Sequence, residues 1–459
     1  DSGTDSGVAM TDAGGGGTDA GGGGTDAGGG TDAGGGDAGE TDAGGGDAGD
    51  AGSPDAGGSD AGWDAALPDA GPFTLPGSCT DSSECGPDAA CETTEGHCVC
   101  SPGSLPCGGG CCSMTIARDV TIATSGHAPE IGSDAAGNVY VLFERGYDAV
   151  RLATLPAGAT TATDEPVATG SGQDDAADLV VAPDGTIYAA LHQPGAGRSG
   201  SFMLYSRAPG ATSFTTMPLR SGPPDAFAYD AAVGLSRASN GDMYAAVSAR
   251  SGDGTMGLAT TRFDGALGVW TSGPTILTYH GHSRSELFAR TDGYFVGVHD
   301  LGYAERYVGF DASGSSPTYL AAAAGPIYDY GETAAAMTDA GLLYTFTAGR
   351  VETSDGALTD RIPNAVLPGS RSDVDMALDA DDNPVFVFHD QARDRITMLV
   401  RMPLGGYTTT FWPTSTFVPF PIDPAWVTLD AERLPSGNVA IVMGDSLDQG
   451  TMRYLEIAR

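Results

Sequence analysis

The chain is predicted to be all-β: a seven-bladed β-propeller preceded by a disulfide-rich module and a low-complexity tail. Three observations predict this. Seven units of turn plus apolar strand recur at intervals near fifty residues between 113 and 459, all eight cysteines fall within 78–112, and residues 1–77 are dominated by Gly, Asp, Ala and Thr. An all-β array can use 459 residues as one folded unit with appendages.

Residues 1–77 carry too little apolar surface to offset the entropy of ordering a backbone. Thr11, Thr18 and Thr25 are spaced by seven, and later units are shorter. Glycine fills the positions that a coiled coil would make apolar, so an extended rod or a flexible spacer is what remains. Thr11, Thr18, Thr25, Thr31 and Thr41 are the hydroxyls available for O-glycosylation, and no Asn-x-Ser/Thr sequon occurs.

Residues 78–112 hold Cys79, Cys85, Cys91, Cys98, Cys100, Cys107, Cys111 and Cys112. Eight thiols among turn residues read as a four-disulfide knot made in an oxidising compartment, with 105 pairings open. A zinc site using His97 and neighbouring cysteines is the rival reading. The stretch SCTDSSECGPDAACETTEGHCVC resembles the small EGF-like or EB-type cysteine-rich modules of secreted proteins.

The repeat units are SDAAGNVYVLFE, APDGTIYAALH, SNGDMYAAVS, RTDGYFVGVHD, TDAGLLYTFT, DDNPVFVFHD and PSGNVAIVMGD. With Gly137, Gly185, Gly241, Gly293, Gly341, Asn383 and Gly437 as turn residues, the intervals are 48, 56, 52, 48, 42 and 54. Asp/Asn/Gly hairpins between short β-rich runs at this period are what propeller blades show, with six blades the alternative count. The last unit ends one strand short at MRYLEIAR, and the strand-like segment 115–124 precedes the first unit without one of its own. Pairing the two would close the ring and remove two open edges.

The runs DAAGNVYV and PDGTIYAA resemble the Asp-x-x-Gly-Asn-x-Tyr-Val signature of bacterial secreted β-propeller repeats, and more loosely NHL-type repeats. The turn SDAAGNVY is also similar to the Asp-box of sialidases. Such boxes are structural turns, and neither the arginine triad nor the Tyr nucleophile of those enzymes stands out in this sequence.

Formal net charge is −39. Residues 1–117 contain 16 Asp and 4 Glu and no base, so −20; the remainder has 40 acids against 21 bases, so −19. Both parts repel phosphate, which excludes nucleic acid and anionic membrane as partners. All 21 bases are Arg, and the absence of Lys excludes P-loop and Schiff-base chemistry, whatever part codon bias plays. No apolar run is long enough to span a bilayer, and a chain starting DSGTDSG is expected to be an exported product, secreted or at the outer cell surface, where a lipid anchor before Asp1 is compatible with the sequence.

Inner-strand entries and second-strand exits lie on one propeller face. Entries read as Glu130, Asp178, Asp230, Glu286, Asp373 and Asp430; exits include Glu144, His192, His299, Asp300, His389 and Asp390. This acidic, histidine-dotted face suits a glycan or a divalent cation such as Ca²⁺. No other cofactor is expected. His299-Asp300 and His389-Asp390 invite an acid-base reading, but adjacent strand residues point to opposite faces. Asp379, Asp381 and Asn383 match the start of a calcium loop, yet Pro384 stands where that loop needs Gly, so a hairpin turn is preferred.

These features lead to a non-enzymatic extracellular or surface structural protein, with the tail of one subunit docking on the next to build a homopolymeric filament. The alternative is a surface-tethered binding propeller for a cation, glycan or peptide; a propeller glycosidase or lyase is the third reading.

Overall fold

The computed structural model describes residues 75–86, 89–92, 97–100, 104–107, 110–146, 149–169, 177–194, 200–221, 227–250, 256–264, 269–278, 286–299, 305–313, 318–319, 333–347, 349–362, 371–390, 395–401, 407–413, 427–445 and 451–458. The five threonines singled out in the tail lie outside them.

Seven four-stranded antiparallel sheets follow one another along the chain. Their first strands are His127–Ser133, Ala177–Val181, Phe227–Arg237, Leu287–Arg290, Thr333–Met337, Arg371–Leu378 and Val427–Arg433. At every junction but that of blades 4 and 5 these first strands lie closely against one another, as in the contact of Val427–Arg433 with His127–Ser133, and so form the inner ring. The seventh sheet takes its fourth strand from upstream: Thr115–Ala123 pairs with Met452–Ala458. Without it both strands would present open edges.

The apolar core lies between blades rather than inside one. Val120 and Ile122 pack with Ile131 and Val141 of blade 1 and with Val442 and Tyr454 of blade 7. Phe346 of blade 5 packs with Phe386 and Phe388 of blade 6, ring centroids 5.2 and 5.7 Å apart. Second strands are therefore covered on both faces, which is why Pro384–Asp390 is buried along its whole length and is apolar up to the closing His389 and Asp390.

The turns show what the repeated signature does. In SDAAGNVY the Asp134 carboxylate accepts the amides of Ala136 and Asn138 at 3.0 and 2.9 Å, the Asn138 side-chain amide at 2.7 Å and the Tyr140 hydroxyl at 3.2 Å. Gly137 completes the turn in the left-handed region, φ 81°. The acid, the glycine and the Asn are one structural device.

Two turn assignments are corrected. In blade 6 the left-handed residue is Asp382, φ 60°, while Asn383 takes the place of Asn138 and bonds back to Asp379. In blade 4 the turn is shorter and Gly293 opens the second strand. There a Cβ would stand 1.9 Å from the Phe310 carbonyl oxygen, so close backbone approach, not a positive φ, requires glycine.

Upstream, Cys79–Cys91 and Cys85–Cys98 are disulfides with Cα separations of 5.8 and 5.5 Å. They remove four sulfurs from any zinc site. Cys100 ends a strand that pairs with Ala89–Glu92; Cys107, Cys111 and Cys112 lie in the hairpin Ser104–Cys107 and Gly110–Ser113.

Candidate functional site

An innermost strand has one edge paired to its own blade and one edge open, and the amides of the open edge need acceptors. Carboxylates of the preceding blade supply them. Asp430 of blade 7 accepts the Ile131 amide of blade 1 at 2.6 Å, Asp375 of blade 6 accepts the Ala431 amide of blade 7 at 2.6 Å, and Asp178 of blade 2 accepts the Leu235 amide of blade 3. Between blades 3 and 4 the Ser236 hydroxyl does the same for Ala289 at 2.9 Å.

These acids share one level, three residues before the last residue of the inner strand. The same level around the ring holds Glu130, Asp178, Gly234, Glu286, Ala334, Asp375 and Asp430; in blade 4 the shorter turn carries the strand one residue further, so Leu287 packs on blade 3 and Glu286 takes the level. Blades 6, 7, 1 and 2 thus carry a continuous arc of carboxylates, blade 4 adds Glu286, and blades 3 and 5 carry the small residues Gly234 and Ala334 at that level. Of the six acids read as strand entries, this level contains Glu130, Asp178, Glu286 and Asp430. Asp375 was missed because Asp373, two residues earlier, was taken instead; Asp230 and Asp373 belong to other levels of their strands.

Glu286 lies just before the inner strand of blade 4 and accepts a hydrogen bond from the Tyr307 hydroxyl. Glu144 and His127, both buried, face each other at 3.3 Å across the first two strands of blade 1. His389 and Asp390 end the second strand of blade 6 fully buried, opposite Ile396 and Arg395. His299 ends the corresponding strand of blade 4, and Asp300 lies outside the described residues. In the loop weighed for calcium, the buried Asp379 carboxylate is taken up by the amides of Asp381 and Asn383.

Glu432, also missed, stands two residues beyond Asp430 on the same strand face and accepts the Ser133 hydroxyl of blade 1 at 3.3 Å. Burial pushes its carboxyl up to about 8, and burial likewise raises Asp178, although two backbone amides bonded to Asp178 favour its charge. A carboxyl raised in the fold stabilises fully below its unfolded value near ~4.3 and loses that contribution as pH rises to the folded value. Urea midpoints of the full chain are therefore expected to fall between about pH 4.5 and 8, and Glu432→Gln to flatten part of that slope.

Many of the arginines are committed elsewhere. Ten of them among the described residues pair with carboxylates of this chain, including Arg207 with Glu165 and Arg401 with Asp360 across blade junctions. Arg433 spans two turns, reaching Asp382 of blade 6 and, at 2.8 Å, Asp339 of blade 5. The face of turns is thereby tied together by its own charges.

Fold and inner ring define the class, a seven-bladed β-propeller with a disulfide-bearing N-terminal module. No family model and no curated protein sequence matches the chain. Among solved structures it is similar to AofleA from Arthrobotrys oligospora, at 11% identity and TM-score 0.42, covering 78% of this chain and 91% of that one. The Hadza microbial sialidase Hz136 matches at 8% identity and TM-score 0.46, covering 73% and 66%. The SapL1 lectin in complex with alpha methyl fucoside matches at 13% identity and TM-score 0.39, covering 63% and 96%. Likeness of this degree concerns fold alone. The expectation of a non-enzymatic protein is nevertheless corrected, because sialidases are among the similar propellers and the fold leaves catalysis open. Among the described residues no helix is long and apolar enough to cross a membrane.

Proposed function

We propose that the protein is an exported propeller that binds a glycan at its inner ring. The observation that carries this reading is the uneven ring: carboxylates at one level in blades 6, 7, 1, 2 and 4, with Gly234 and Ala334 at that level in blades 3 and 5. A pyranose presents hydroxyl edges, which want acceptors, and C–H faces, which want small apolar surface; a ring divided in this way offers both. Each carboxylate has about four lone-pair sites, and backbone amides bond Asp178 and Asp430 twice each and Asp375 once.

The charge of the arc and the pairing of ten arginines favour an uncharged or amino sugar over a sialic acid, whose carboxylate would meet like charge. This reading is preferred to filament assembly, which rests on tail residues outside the described ones. The full chain on a glycan microarray is expected to retain neutral glycans and not sialylated ones. Repeating the assay in EDTA tests the Ca²⁺ expectation, and release of reducing sugar from a retained glycan tests for hydrolysis. Retention of no glycan would overturn the reading.

A further inference from the structure

His192 is the third residue from the end of the second strand of blade 2, Ile187–Pro194, and is only 4% exposed. It stands opposite Phe202, ring centroids 5.0 Å apart, and neither ring nitrogen has a hydrogen-bond partner. Burial drives the imidazole down to about 4, so the ring is neutral at ordinary pH. A neutral imidazole carries one donor and one acceptor, and leaving buried polar atoms unpaired costs ~1–3 kcal/mol each.

Asp178 is its neighbour on the same sheet face. It pairs with Ala190, two residues before His192, and side chains two apart on a strand share a face. That face is turned to blade 3: Ala190 and Phe202 pack with Val233 and Leu235, and the Asp178 carboxylate accepts the Leu235 amide. Beside this pair the inner strand of blade 3 leaves its pairing register between Phe227 and Ala232. A bulge of this kind leaves extra residues outside the ladder and bends the strand that faces the pair.

We propose that His192 and Asp178 form a subsite that recognises one hydroxyl of an uncharged sugar at the junction of blades 2 and 3. The inference rests on the glycan reading above and assigns its recognition group. A hydroxyl donates one hydrogen bond and accepts others, so it satisfies the donor or the acceptor nitrogen of a neutral imidazole, with Asp178 as a further acceptor. An ammonium group only donates and leaves the ring N–H unmet. A carboxylate or phosphate only accepts, leaves the ring acceptor unmet and is repelled by Asp178.

The test uses the full chain with histidine ring nitrogens labelled with ¹⁵N, titrated with the methyl glycosides of glucose, galactose, mannose and fucose. The His192 resonances are those lost in His192→Gln, and burial is expected to keep that ring neutral down to about pH 4. A neutral glycoside is expected to shift both His192 nitrogens, and His192→Gln to weaken its binding about tenfold, ~1.4 kcal/mol. Binding of a glycoside with the His192 resonances unmoved would overturn the subsite, reduce His192 to a core residue with water as its only partner, and leave the glycan reading standing. Binding of none of the four, together with an empty glycan array, would overturn the reading and the subsite with it. The titration is made on the unsubstituted protein, so it holds even if His192→Gln fails to fold.

Discussion

A chain beginning at residue 125 is expected to lose the native propeller, whereas one beginning at residue 113 keeps it. The segment removed in the first contains Thr115–Ala123, the fourth strand of blade 7, whose pairing runs from Ala123 opposite Met452 to Thr115 opposite Ala458. Val120 and Ile122 are 2% and 6% exposed in the core between blades 7 and 1. Full burial of such side chains is worth ~1.5–3 kcal/mol each, before counting the ladder hydrogen bonds. Arg118 adds a second tie, to Glu456 at 3.2 Å and to the carbonyls of Pro156 and Ala159 in blade 1 at 3.2 and 2.9 Å. Together these losses approach the ~5–15 kcal/mol that holds a domain folded. The truncated chain also exposes the Met452–Ala458 edge, so aggregation should accompany the loss. Soluble yield and thermal melts of the two chains are the measurement, and a synthetic peptide of residues 113–124 should restore a cooperative melt. Equal melting temperatures would show that the ring closes without the strand.

The propeller was legible because its turns depend on chemistry few residues supply. A left-handed residue preceded by an acid or hydroxyl that bonds its own turn leaves Gly137, Gly185, Gly241, Gly341 and Gly437 visible at a regular interval. Where another residue adopts that conformation, as Asp382 does, the turn was still found but placed one residue late. The inner ring was legible except at Asp375, for a geometric reason. Inner strands vary from the four residues of Leu287–Arg290 to the eleven of Phe227–Arg237, so counting from the strand entry mixes levels. Counting back from the turn selects Asp375 over Asp373 and excludes Asp230. His192 was visible as a residue at a strand exit, but its burial depends on Phe202 and on how blade 2 meets blade 3, which no local pattern records. Glu432 had no signal beyond lying two residues from Asp430.

Replacing Asp430 should cost more than replacing any exposed acid of the propeller, because its carboxylate stands where the ring closes on itself. One oxygen accepts the Ile131 amide of blade 1 at 2.6 Å and the other accepts the Ala431 amide at 2.9 Å. In Asp430→Ala the Ala431 amide keeps its bond to Asp375, 2.6 Å away, whereas the Ile131 amide loses the acceptor described here. An amide left unmet at a packed strand edge, having bonded a charged group, costs ~1.5–3 kcal/mol. Asp430→Asn retains a carbonyl oxygen of the same reach, so it should recover half or more of that loss, while Asp430→Ala lowers the melting temperature by several degrees. The comparison separates the amide bond from carboxylate charge. If charge repulsion within the arc dominated, both substitutions would raise stability, most at low salt, where like charges interact furthest. If the amide bond dominates, the Ala variant falls, the Asn variant follows it only part way, and salt changes the difference little. Hydrogen exchange at Ile131 gives the local readout: the amide should exchange faster in Asp430→Ala than in Asp430→Asn, by more than the global change in stability accounts for. That outcome would identify the acids of the ring as structural clamps that join neighbouring blades where the propeller closes.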